Sequence, residues 1–129
     1  MSAERQLVDA EDAPAAIGPY SHAVQHGSLL FCSGSLPVDP ASGETYDLSV
    51  GGETEQCLRN LAAVCAAAGT DLSRAIRTTI YTTSLELFEE INEAYAAFFQ
   101  SEPPARVTVG VSALPKGVRV EIDAIVAVA

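Results

Sequence analysis

Residues 104–111 read PARVTVGV and residues 118–124 read VRVEIDA, and both stretches alternate apolar and polar side chains. A period of two is typical of a β-strand that has one buried face. Residues 114–117 (LPKG) lie between them and are typical of a hairpin loop. The sequence therefore predicts that the two strands pair with each other. The alternation then places four polar side chains on one shared face: Arg106, Thr108, Glu121 and Asp123.

Arg106 and Glu121 are far apart on that shared face. If Ala113 pairs with Val118, four strand residues separate them, which is roughly 13 Å at about 3.3 Å per residue. One small ligand does not span this distance within a hairpin. A site that uses both side chains therefore needs a bend in the strand or a second subunit.

Composition predicts one globular domain over residues 1–129. The chain is 48% hydrophobic, which is enough apolar material for a core. It has no run of 18 or more apolar residues, so we expect no membrane span. The first residues, MSAER, lack the basic and apolar segments of a signal peptide, which favours a cytoplasmic protein.

The acidic charge of the chain disfavours nucleic-acid binding. Seventeen acidic and seven basic side chains give a net charge of −10, and no Lys/Arg cluster offsets the repulsion of phosphates. The three cysteines, Cys32, Cys57 and Cys65, form no C-x-x-C and no recognisable zinc pattern with His22 and His26. We therefore expect buried free thiols and no metal site.

The periodicities along the chain predict the order β-β-β-α-β-α-β-β. The predicted elements are strands over residues 6–8, 21–25 and 28–33, a helix from Ser49 to Gly69, a strand over residues 75–83, a helix capped by Ser84, and the two strands quoted above. Both helices have one apolar side. An α+β fold follows, with one mixed sheet of five to six strands and both helices on one of its faces. The other face is either solvated or packed on another copy, and we expect a closed homo-oligomer.

Three residues outside the two quoted strands are candidates for a site. Tyr20 ends a loop that two prolines and a glycine stiffen, where it either anchors the loop or binds a ligand. Gly34 lies inside a strand-like run, which indicates a bulge or the close approach of a ligand or backbone. Asn92 lies in the apolar stripe of the second helix, where its amide either bonds to neighbouring backbone or orients a site.

Four segments, which together span nearly the whole chain, resemble segments of the RidA/YjgF family of reactive-intermediate deaminases and occur in the same order as in that family. The most specific is Pro104-Ala105-Arg106-x-x-Val109-x-x-Ser112-x-Leu114, followed by Val120-Glu121-Ile122. The others are residues 13–20 (APAAIGPY), Ser33-Gly34-x-x-Pro37 and Ile91-Asn92-x-x-Tyr95-x-x-Phe98-Phe99.

The resemblance implies a homotrimer of chorismate-mutase-like subunits with a cleft between each pair of neighbours. It implies hydrolysis of 2-enamine and 2-imine acids, such as 2-iminopropanoate and 2-iminobutanoate, to 2-keto acids and ammonia, without a metal or cofactor. Two alternatives are a deaminase of a larger enamine, such as an aminomuconate-type intermediate, and a trimer that binds keto acids without turnover. RNA cleavage, which is attributed to some relatives, is disfavoured by the acidic charge.

The resemblance also implies roles for individual residues. Arg106 would hold the substrate carboxylate in a bidentate pair. Glu121 would position or deprotonate the attacking water, and Tyr20 would close the cleft. Gly34 would let backbone approach the ligand, and Asn92 would shape the site. A surface ion pair for Arg106 and an interface ion pair for Glu121 are the alternatives.

Two positions depart from the family pattern. Thr108 stands where many imine deaminases of this family carry Cys, and Ser35 stands where a longer amide is common. Thr108 keeps a hydroxyl that can bond to water or substrate. Together the two departures indicate a substrate pocket of altered size.

Overall fold

The computed structural model describes residues 4–128, whose helices and strands follow the predicted order β-β-β-α-β-α-β-β. The elements are β1 (Gln6–Val8), β2 (Ala23–His26), β3 (Leu29–Ser35), α1 (Val50–Ala67), β4 (Ala75–Thr82), α2 (Phe88–Ala96), β5 (Ala105–Gly110) and β6 (Val120–Ala127). The predicted α+β class and the mixed sheet are confirmed.

The six strands form one sheet in the order β1-β2-β3-β6-β4-β5. Strand β4 lies between β5 and β6, parallel to the first and antiparallel to the second. The predicted β5–β6 hairpin is therefore wrong. Residues 111–119 are a connection long enough to pass the end of β4, and both of their ends bond to it: Val111 N–H donates to the Thr82 carbonyl and Thr83 N–H to the Arg119 carbonyl.

This strand order also overturns the prediction of one shared polar face. Arg106 is the neighbour of Thr78 on β4, and Glu121 is the neighbour of Tyr81. Positions 78 and 81 are three residues apart, so their side chains point to opposite faces of the sheet. Thr78 is fully buried and bonds to Tyr95 of α2, which identifies the helix face. Arg106 therefore points to the helix face and Glu121 to the uncovered face.

Apolar residues of both helices pack on the helix face of the sheet. Leu58 and Leu61 of α1 and Ile91 of α2 are almost fully buried there, with Ile80 and Ile122 beneath them. Burial of a side chain of this kind contributes about 1.5–3 kcal/mol to folding.

The helix ends follow the sequence at α1 and differ from it at α2. The Ser49 hydroxyl accepts a hydrogen bond from Gly52 N–H at 3.0 Å, and Gly69 with φ +77° ends α1, as predicted. Ser84 instead precedes a 3₁₀ turn and makes no side-chain cap bond, so its predicted capping role is wrong. The Ser84 N–H donates a hydrogen bond to the Thr82 hydroxyl, and this bond links the end of β4 to the start of the turn.

The buried carboxylate of Glu53 joins α1 to the start of β6. It accepts hydrogen bonds from the backbone N–H groups of Arg119 (2.7 Å) and Val120 (3.1 Å) and from the Arg119 guanidinium. The backbone immediately before Glu121 is therefore held by a charged side chain rather than by strand pairing alone.

Cys32, Cys57 and Cys65 are buried and free, as predicted. Within residues 4–128, no group of three or more His, Cys, Asp and Glu side chains is placed to hold a metal ion. None of the helices in the same range has the length and apolar character that a membrane crossing requires.

Candidate active site

Arg106 projects from edge strand β5 against two aromatic rings of α2. Its guanidinium carbon lies 4.9 Å from the ring centroid of Tyr95 and 5.6 Å from that of Phe88. The two rings are seven residues apart and so lie on one side of the helix, two turns from each other. Both distances are within the range of a cation–π interaction.

No acidic side chain within residues 4–128 forms an ion pair with Arg106. The ion pairs in that range are Asp9–His22, Glu55–Arg59 and Glu53–Arg119. A ring face attracts the cation without accepting its N–H groups in the way that a carboxylate does. The N–H donors of Arg106 therefore remain available for an anionic group, and the surface ion pair considered from the sequence is not formed within the described chain.

Two buried polar atoms near Arg106 have no hydrogen-bond partner among the described residues: Oγ1 of Thr108 and Oδ1 of Asn92. Thr108 is two residues from Arg106 on β5, so both face the helices. Asn92 lies between Phe88 and Tyr95 on the same side of α2. Buried polar atoms are nearly always satisfied, so these two atoms are candidates for a hydrogen bond to a water molecule or a ligand. We call Arg106, Thr108 and Asn92 the arginine half of the site.

Glu121 lies at an open cleft of about 330 Å³ on the uncovered face, beside Tyr20 and Gly34. A Cβ built on Gly34 would lie 1.9 Å from Oε2 of Glu121, so only glycine admits the carboxylate in this position. Gly34 falls where the β3–β6 register shifts between Cys32 and Ser35, which confirms the bulge. We call Tyr20, Gly34 and Glu121 the glutamate half.

Tyr20 is 44% exposed at the mouth of this cleft. Its hydroxyl accepts a hydrogen bond from Ile17 N–H at 3.2 Å within the same loop. It is thus anchored to the loop and still accessible, so the two interpretations of Tyr20 are compatible.

Burial raises the pKa of the Glu121 carboxyl above its ordinary value, and the nearby charge of Asp123 raises it further. Asp123 itself accepts a hydrogen bond from the Tyr81 hydroxyl at 2.9 Å. A carboxyl whose pKa is shifted toward neutrality can take up and return a proton during a reaction.

Ser35 lines a neighbouring pocket with Tyr20 and Gly34, but that pocket does not include Glu121. Its hydroxyl donates to the Cys57 carbonyl at 2.9 Å, so it faces α1 rather than Glu121. Ser33 lines the Glu121 cleft instead, with its hydroxyl donating to the Ser21 carbonyl. The bulge at Gly34 causes this exchange, because it changes which residue of β3 points to which face.

Sequence reasoning also missed Phe88 and Tyr95 as neighbours of Arg106. Both belong to the apolar stripe of α2, which is typical of a core. Their heptad spacing around Asn92 was the available signal, but no pattern in the sequence indicates that β5 lies under that side of α2.

The two halves lie on opposite faces of one sheet and do not meet within the chain. The helix face carries the arginine half and the uncovered face carries the glutamate half. A ligand that contacts both halves needs parts of two subunits.

The chain is similar to known proteins over almost its whole length. The family model described as Endoribonuclease L-PSP matches residues 10–128. RutC family protein y4sK of Sinorhizobium fredii is 50% identical over 119 residues, covering 92% of this chain and 94% of that protein. The 2-iminobutanoate/2-iminopropanoate deaminase of Mus musculus is 42% identical over 121 residues, covering 94% and 90%.

The same fold is found in solved structures. The crystal structure of YyfA from Yersinia pestis, described as a protein of unknown function of the conserved Rid protein family, superposes with a TM-score of 0.93 at 39% identity, covering 97% of this chain and 100% of that one. With the matching family model and relatives, this likeness shows that the chain belongs to the Endoribonuclease L-PSP family, which comprises the RidA/YjgF proteins.

Proposed function

We propose that this protein hydrolyses 2-imino acids to 2-keto acids and ammonia. The main support is the environment of Arg106. This half-buried cation forms no ion pair with an acidic side chain of residues 4–128, and the neighbouring Thr108 and Asn92 each have a buried oxygen without a hydrogen-bond partner there. This arrangement suits a small carboxylate that also offers hydrogen-bonding groups. The name of the mouse relative supports the imine as the reacting group.

The proposed active unit is a homotrimer in which each site forms between neighbouring subunits. Two observations support an assembly. The arginine and glutamate halves lie on opposite faces of the sheet, and the uncovered face exposes large apolar side chains, among them Phe31 at 44% and Leu7 at 64%. Packing another copy on this face would bury apolar area, and an arrangement that presents the neighbour's edge strand β5 to the Glu121 cleft would bring one subunit's arginine half to the other's glutamate half.

In the proposed reaction, Arg106 holds the substrate carboxylate and so fixes the C=N carbon in the cleft. Glu121 takes a proton from a water molecule as the water oxygen bonds to that carbon and the C=N π electrons move to nitrogen, and it returns this proton to the nitrogen to give a neutral carbinolamine. Glu121 then takes the hydroxyl proton and delivers it to the amine nitrogen while C=O forms and the C–N bond breaks with its electrons on nitrogen, so that the keto acid and ammonia separate. Tyr20 closes the cleft, and Gly34 admits the carboxylate of Glu121.

The substrates that we propose are 2-iminopropanoate and 2-iminobutanoate. They are small enough for a cleft bounded by Tyr20 and Glu121, and they are the substrates in the name of the mouse relative. Thr108, in place of the common Cys, offers a hydroxyl that can bond the substrate or the water.

The test couples the protein to a serine or threonine dehydratase, which releases these imines, in a buffer that slows their spontaneous hydrolysis. Keto-acid formation is followed with wild type, with Arg106→Ala, and with Arg74→Ala as a matched control at an exposed arginine outside the site. We expect acceleration by wild type and by the control, and a loss of about 100-fold or more in Arg106→Ala, because the binding group is gone.

Unchanged acceleration in a folded Arg106→Ala protein would contradict the role of Arg106. If wild type accelerates neither imine but binds 2-oxobutanoate, the protein is a keto-acid binder rather than a deaminase of small imines. A larger enamine, such as an aminomuconate-type acid, is then the next substrate to assay.

A further inference from the structure

The aromatic residues around Arg106 are arranged as a support for its guanidinium. Tyr95 is 6% exposed and lies 4.9 Å from the guanidinium carbon, whereas Phe88 is 37% exposed and lies 5.6 Å from it. One ring is therefore fixed in the core and the other closes the outer side of the arginine.

Tyr95 is held from two directions. Its hydroxyl lies 2.6 Å from the Thr78 hydroxyl, and both side chains are buried. Its ring lies 4.7 Å from that of Phe99, centroid to centroid, tilted by 37°. Thr78 is also the strand neighbour of Arg106, so the same position of β4 contacts both the arginine backbone and the ring that packs on the arginine side chain.

We propose that Phe88 and Tyr95 are positioning residues, which hold the Arg106 guanidinium for a ligand carboxylate, and that Thr78 fixes Tyr95 for this purpose; this role rests on the function proposed above for Arg106. An arginine side chain has several rotatable bonds, and ordering them on binding opposes affinity. A guanidinium already held on ring faces loses less freedom when the carboxylate arrives. The rings contact the face of the guanidinium and leave its N–H donors free for the ligand. An acidic neighbour would accept hydrogen bonds from those donors instead.

The first test measures the dissociation constant of 2-oxobutanoate by calorimetry and the kinetic constants for imine hydrolysis. Phe88→Leu removes the partly exposed ring. Phe98→Leu makes the same change at a residue that packs on the core beside Ala62 and Ala66 of α1 and makes no ring contact with the Arg106 guanidinium. We expect Phe88→Leu to raise the dissociation constant and KM by about tenfold with kcat within about twofold of wild type. Phe98→Leu should bind within about twofold of wild type, and Phe88→Tyr, which keeps the ring, should restore binding.

The second test examines the hold on Tyr95. Tyr95→Phe and Thr78→Val each remove one hydroxyl of the pair and keep the packing volume. We expect each to weaken 2-oxobutanoate binding by about threefold, and the double variant to be no weaker than either single one, because both remove the same hydrogen bond. Circular dichroism establishes that each variant is folded.

Wild-type affinity in Phe88→Leu, or a loss equal to that in Phe98→Leu, would overturn the proposal. So would additive losses in the Tyr95 and Thr78 pair. The dissociation constants of the variants test the positioning role independently of turnover. If wild type binds 2-oxobutanoate but does not hydrolyse imines, the proposed deaminase activity is refuted and the positioning role can still be tested by binding. A wild type that neither binds millimolar 2-oxobutanoate nor accelerates imine hydrolysis refutes both, and one that only hydrolyses imines decides the positioning role through KM.

Discussion

Replacing Gly34 by Ala tests whether Glu121 works from the position that the structure shows. The added Cβ would lie 1.9 Å from Oε2 of Glu121, 2.9 Å from its Cδ and 3.3 Å from its Cγ. An ordinary contact begins at 3.4 Å, so the carboxylate oxygen must move by about 1.5 Å. The atoms in conflict belong to the end of a flexible side chain, so the side chain will move rather than the backbone.

The fold and the activity should therefore respond very differently. Turning the Glu121 side chain away costs about 1 kcal/mol, which a domain of this size tolerates. A displacement of about 1 Å in a catalytic group can cost about 100-fold in rate. We expect Gly34→Ala to lose about 100-fold in kcat, with KM changed by less than about threefold because Arg106 still holds the carboxylate.

The measurement is imine hydrolysis in the dehydratase-coupled assay, beside a thermal melt. Gly52→Ala is the matched control, since it adds the same methyl group in the first turn of α1. A thermodynamic cycle with Glu121→Ala separates the proposed cause from general damage. Gly34→Ala should cost nothing further in the Glu121→Ala background, because the side chain that it displaces is already absent.

Full activity in Gly34→Ala would refute the reasoning, because the carboxylate would then not be needed where it lies. An equal loss with and without the Glu121 side chain would also refute it, since the methyl group would then act directly on ligand or backbone.

Two further predictions concern the other groups of the site. In Asp123→Asn, removal of the neighbouring charge lowers the pKa of Glu121, so activity that needs ionised Glu121 should appear at lower pH. The profile of kcat/KM against pH measures this shift. An acidic limb at the same pH as in wild type would contradict the prediction. Thr108→Val removes a buried hydroxyl with no partner in residues 4–128, so it should leave stability unchanged or raise it by about 1 kcal/mol while weakening 2-oxobutanoate binding. Denaturant unfolding and calorimetry on the same preparation check the two effects, and a clear loss of stability would show that the hydroxyl has a partner in the folded protein.

The elements of this fold could be predicted because their signals are local. Alternation along residues 105–110 and 120–127 identifies two strands, and the Ser49 cap and Gly69 bound the first helix. Each of these signals depends on backbone preferences and on burial within a few residues. The candidate residues were likewise visible one by one, since Arg106, Glu121 and Asn92 stand within recognisable motifs.

The arrangement of those elements depended on contacts that no local pattern records. Alternation shows that a strand has two faces, but it does not identify its neighbour, so β4 between β5 and β6 could not be deduced. That one insertion sends Arg106 to the helix face and Glu121 to the other, and it places Arg106 beneath Phe88 and Tyr95. The sequence by itself determined the elements and indicated the candidate residues of the site, whereas strand order, a long-range property, decided their partners and faces.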